Sequence, residues 1–158
     1  MRNKNIGSIS SGTLRPQDLI PCFISEAKSQ HLSRADRKEL RKIASRVARV
    51  ENGEFGESDA YWQDEVSSWD MEALVEMLNS VAPAYFYFGS HPGDGADFGY
   101  WLDPFFPESF DGLKVNDLSE LANLPTPYTG EVLHVNDHGN QSLYRCVRGR
   151  LYEVWGLV

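Results

Sequence analysis

The chain predicts an α+β fold: N-terminal helices packed on one face of a C-terminal antiparallel sheet, a meander of about four to five strands. Three observations point there. The first half carries apolar residues at helical spacing, "AYFYFG" and "DFGYWL" open a strand-like texture after residue 83, and the last thirty residues alternate short β-rich runs with turn residues. At 158 residues the chain has the length of one domain with a real core, so 1–158 is expected as a single domain whose residues 1–13 form an irregular arm.

The elements follow in order. "LRPQDLIPCFISEAKSQ" places Leu19, Ile20, Phe23, Ile24 and Ala27 on one helical face, with the helix expected to start near Pro21 because proline suits a first turn. Ser33 with Asp36 three residues on resembles a capping box, and Leu40, Ile43, Ala44, Val47 and Val50 then share a face. Arg34, Arg37, Lys38, Arg41, Lys42, Arg46 and Arg49 fall opposite. "NGEFGES" is a break, "SDAYWQDEVSS" a short helix, and "WDMEALVEMLNSVAP" a longer helix closed by Pro83. Aromatic strands at 85–89 and 97–102 flank a loop in which Gly93 and Gly95 supply positive φ. A short helical turn is expected at 117–121, and "EVLHV", "SLYRCV" and "LYEVWGLV" form the closing meander.

Charge is unevenly placed. Residues 1–50 hold eleven Lys/Arg against four Asp/Glu, a surplus of +7, whereas the remainder holds four against nineteen, −15. The overall −8 disfavours direct nucleic-acid binding, and the basic helix face is either neutralised by the nine acids of residues 51–76 or offered to a partner. No apolar run approaches a membrane span and the N-terminus lacks a signal-like core, so a cytoplasmic protein without membrane contact is expected. The two cysteines, Cys22 and Cys146, read as buried thiols.

Candidate chemistry gathers in two loops. "SHPGDGAD" offers His91, Asp94 and Asp97, and "HVNDHGN" offers His134, Asp137 and His138, a ligand set suited to a hydrolytic divalent metal if the loops converge. No nucleophile elbow, phosphate loop or dinucleotide fingerprint occurs. Interface candidates are Arg34, Arg37, Lys38 and Arg41 on the basic face, with Tyr100 and Trp101 from an aromatic surplus that includes Tyr61, Trp62, Trp69, Phe105, Phe106 and Phe110.

"LRPQDLIPCF", "YFYFGSHPGDGADFGYW" and "TGEVLHVNDHGNQSLYRCVRGRLYEVWGLV" resemble a group of small acidic proteins associated with bacteriophages, prophages and related mobile elements. The resemblance carries no activity or cofactor. It implies an accessory protein acting in a bacterial host cytoplasm on a host protein or protein–nucleic acid complex, with defence systems of the CRISPR or restriction type as the plausible target. The leading expectation is therefore a non-enzymatic binder of a host macromolecule that needs no cofactor. The alternative is a metal-dependent hydrolase built from the two histidine loops, with the divalent metal as its cofactor.

Overall fold

The computed structural model describes residues 6–53, 58–124 and 126–157, without the side chains of Ser58, Asp59 and Pro107. The start of the expected arm, the middle of the "NGEFGES" break and Pro125 lie outside the described residues. The fold class is α+β, and the described chain divides into two compact units, one of residues 6–82 and 86–101, the other of 83–85 and 102–157.

The first unit joins the helices to a small sheet. Strand β1 (Gly7–Ser10) forms where an irregular arm was expected. Helix α1 (Pro16–Ser29) opens with Pro16 in its first turn, earlier than expected, and keeps Pro21 inside. As the sixth residue of the helix, Pro21 withdraws the regular bond to the Gln17 carbonyl. Helix α2 (Arg34–Glu51) is capped by Ser33, whose Oγ accepts from the Asp36 N–H at 3.1 Å and donates to the Asp36 carboxylate at 2.7 Å. Helices α3 (Ser58–Gln63) and α4 (Glu65–Ser80) follow, the latter capped by Asp64 accepting from Val66 N–H at 3.1 Å.

Strands β2 (Phe86–His91) and β3 (Asp94–Leu102) complete a sheet of order β1-β3-β2. Pro92 and Gly93 alone separate β2 from β3, and neither Gly93 nor Gly95 adopts a positive φ. Proline sets a negative φ at the start of the turn, His91 Nδ1 accepts the Gly93 N–H at 3.0 Å, and Gly95 already lies within β3. A Cβ on Gly99 would sit 2.1 Å from the Gly7 carbonyl oxygen, so β1 reaches β3 only because position 99 has no side chain.

The core of this unit collects Leu19, Ile20 and Phe23 of α1, Ile43 and Val47 of α2, and Leu74 and Leu78 of α4. Phe88 of β2 and Tyr100 of β3 close it, with Phe86 and Phe98 two residues away on the same strand faces. Each such side chain contributes about 1.5–3 kcal/mol by leaving water. The helices thus share a core with this small antiparallel sheet. The Asn79 side chain of α4 donates to the Phe88 carbonyl at 3.1 Å and accepts the Phe88 N–H at 2.8 Å, satisfying backbone groups of β2, an outer strand of its sheet.

The second unit holds helix α5 (Phe106–Ser109), strands β4 (Leu113–Val115), β5 (Gly130–Val135), β6 (Gln141–Val147) and β7 (Arg150–Leu157), and a 3-10 turn, Leu118–Asn123. The sheet order is β4-β5-β6-β7; β5, β6 and β7 pair antiparallel as expected, whereas β4 pairs parallel to β5. Arg148 and Gly149, at φ 51° and 79°, make the two-residue β6–β7 turn. The 3-10 turn falls where one was expected, capped by Asp117 and closed by Glu120.

Tyr85, expected as the first residue of a strand, instead occupies a turn at φ 68°. Its ring packs with Phe106 and Phe110, Trp155 Nε1 donates to the Ala84 carbonyl at 3.0 Å, and the Tyr85 hydroxyl donates to Glu131. These contacts hold an unfavourable backbone geometry in place. Both cysteines are free thiols, Cys22 Sγ donating to the Ile9 carbonyl at 3.5 Å and Cys146 Sγ to that of Tyr128 at 3.3 Å.

Candidate functional site

Helix α2 buries Leu40, Ile43, Val47 and Val50 and turns its cationic residues outward, as a 3.6-residue period requires. Its two halves then differ. In the C-terminal half the charges are engaged. Lys42 Nζ donates to Glu39 at 2.7 Å, and the Arg46 guanidinium pairs with Asp70 of α4, which also accepts from the Tyr61 hydroxyl at 2.7 Å. Asp70 is buried, and its two donors neutralise a carboxylate that would otherwise be costly there. Burial first, and the hydrogen bond to Asp70 second, push the Tyr61 phenol well above its ordinary value.

The N-terminal half is different. Arg34, Arg37, Lys38 and Arg41 are exposed, and no carboxylate of the described residues pairs with any of them. The acids of residues 51–76 supply one partner, Asp70, to Arg46 and leave this stretch uncovered among the described residues. A groove of about 610 Å³ runs beside it, lined by Lys28 and Gln30 from the end of α1, by Leu32 from the connection, and by Arg34, Arg37 and Arg41. A second space of about 610 Å³ lies over the other half, between Arg46, Arg49 and Tyr61.

The aromatic interface candidates divide. Tyr100 is 2% exposed and packs edge-on against Phe88 in the core, so it offers no surface to a partner. Aromatic β-strand residues alternate faces, and position 100 falls on the buried one. Burial, then the charge of Glu26, raises the Tyr100 phenol far above its usual range. Trp101 is half-buried, its Nε1 donating to the Gly89 carbonyl at 3.1 Å. Phe106 and Phe110 are core residues, whereas Trp69 and Phe105 are exposed.

The histidine loops build turns. His91 accepts from its own turn and packs edge-on against Trp101, Asp94 Oδ1 accepts the Ala96 N–H at 3.0 Å, and Asp97 Oδ1 accepts from Ser8 Oγ at 2.5 Å. In the other unit, His134 Nε2 lies 3.1 Å from the Asn116 carbonyl oxygen, and so carries the proton. Asn136 Oδ1 accepts from the N–H groups of His138 and Asn140, each at 3.0 Å, and Gly139 takes φ 81°. Asp137 and His138 are exposed at its tip. Among the described residues no three His, Cys, Asp or Glu side chains stand together as a metal ion requires. No helix among them is long and apolar enough to cross a membrane.

Sequence reasoning missed Lys28, Leu32 and the Arg46–Asp70–Tyr61 network. A lysine in the last turn of α1, four residues before a leucine, was the available signal for the groove. No protein-family model, curated protein or solved structure matches the chain.

Proposed function

We propose that the chain is a non-enzymatic binding protein that contacts a macromolecular partner through the N-terminal half of α2. The supporting observation is the cationic stretch Arg34, Arg37, Lys38 and Arg41, exposed and without carboxylate partners among the described residues, in a chain of net charge −8. An acidic protein gains nothing in solubility from clustering free cations on one helix, whereas a partner-facing patch gains both encounter rate and orientation. The resemblance of the opening, loop and closing segments to phage and prophage proteins supports reading the partner as one in a bacterial host cytoplasm. In this reading it is a host protein or protein–nucleic acid complex, with CRISPR or restriction complexes foremost.

The test is phage plating on bacteria that carry an active CRISPR or restriction system. Expression of the native chain raises plating of a targeted phage, and Arg34→Glu/Arg37→Glu/Arg41→Glu abolishes the rise while folding normally. Unchanged plating against every system tried, together with no lysate protein captured by the native chain and lost by the variant, would overturn the reading.

A further inference from the structure

We propose that the groove between the end of α1 and the first half of α2 seats an acidic segment of a protein partner. The inference rests on the reading of the α2 face just given and narrows it to a substrate chemistry. At about 610 Å³ the groove has the size of a site for a few side chains. Lys28 stands on one wall, and Arg34, Arg37 and Arg41 stand on the other at intervals of three and four, which aligns them along one edge of the helix. Leu32 and Leu40 lie beneath these side chains and are 4% and 5% exposed, so the surface on offer is chiefly cationic. Arg41 Nε donates to the Arg37 carbonyl at 3.1 Å, fixing one guanidinium against the helix before any ligand arrives.

A row of guanidinium groups suits carboxylates, each fork matching one with two parallel hydrogen bonds. The net charge of −8 disfavours nucleic acid, and none of the residues lining the groove is aromatic, so no base would find a stacking surface there.

The experiment is fluorescence anisotropy with a labelled peptide of alternating glutamate and serine, its glutamine counterpart, and single-stranded DNA as competitor. The glutamate peptide is expected to bind, and the glutamine peptide to bind at least about tenfold more weakly, the scale of losing a charged contact. Lys28→Glu and Arg37→Glu, on opposite walls, should each weaken binding by about tenfold or more. Lys42→Glu, on the same helix but outside the groove lining, should change it less than about twofold. All three positions are exposed, and circular dichroism confirms the fold of each variant.

Absence of peptide binding, equal affinity for the glutamine peptide, or displacement by DNA at lower concentration than by unlabelled peptide would overturn the inference. So would Lys42→Glu weakening binding as much as Lys28→Glu, which would mean diffuse attraction to α2. In that last case the broader reading of the α2 face survives, because partner capture still depends on its cations. Loss of partner capture from the native chain sinks both.

Discussion

Replacing Asp70 with alanine probes the joint that fixes α2 to α4 behind the cationic face. Asp70 keeps 7% of its side-chain surface in water and Arg46 keeps 35%. Removing one member of a fully buried pair costs about 3–5 kcal/mol, but a guanidinium one-third in water is partly rehydrated, which lowers the figure to about 2–3 kcal/mol. The Tyr61 hydroxyl loses its acceptor, adding about 1 kcal/mol. The sum, about 3–4 kcal/mol, corresponds to a drop in Tm of roughly 7–14 °C for a chain of this size. Urea unfolding followed by tryptophan fluorescence and far-ultraviolet circular dichroism measures it. Arg46→Met should also destabilise, since it leaves the carboxylate with the phenol alone. The double variant Arg46→Met/Asp70→Leu should cost less than the two singles added together. An Asp70→Ala cost below about 0.5 kcal/mol, the range of ordinary surface changes, or strict additivity in the double variant would refute the network's role.

Asn79→Ala should destabilise by about 1–3 kcal/mol, because Phe88 loses partners for both its backbone N–H and carbonyl; chemical denaturation reads it, and a neutral result contradicts the clamp. Gly99→Ala should cost about 1–3 kcal/mol, as the added methyl meets the Gly7 carbonyl, and amide exchange across residues 7–10 should quicken as β1 lifts. Tyr85 gives a pH dependence. Its hydrogen bond to Glu131, and then burial, push the phenol from its ordinary 10.0 up to about 12. A raised pKa means the stabilisation is complete below pH 10 and is lost as pH rises through about 12. Tyr85→Phe should therefore be less stable than the native chain below pH 10, with the gap closing toward pH 12, and a gap constant across that window would exclude the hydrogen bond as its source.

What the sequence disclosed follows from how local each signal is. Helix α2 was legible in full, since Ser33 marks its start and Leu40, Ile43, Val47 and Val50 repeat at helical spacing. Strands β5 to β7 were legible because alternation and the turns at 136–140 and 148–149 fix their ends. Strand β1 was not: "GSIS" has one large apolar residue, Ile9, and its pairing depends on the absence of a side chain at Gly99, ninety positions away. The three residues of β4 are too few to show a period, and their parallel pairing with β5 is a long-range choice no local pattern encodes. Which core a sheet strand joins is likewise non-local. At the site, the cationic face was visible as periodicity, but whether acids cover it depended on where α3 and α4 fold. Tyr100 illustrates the same gap, because an aromatic run announces a strand without saying which face is buried.

The central claim is that exposed cations on α2 recognise a partner, and isothermal titration of a captured partner into the native chain and into Arg34→Glu/Arg37→Glu/Arg41→Glu tests it most directly. The account predicts affinity that falls with added salt in the native chain and is lost in the variant at unchanged Tm. Equal affinity in the two proteins, with the same salt dependence, would contradict it.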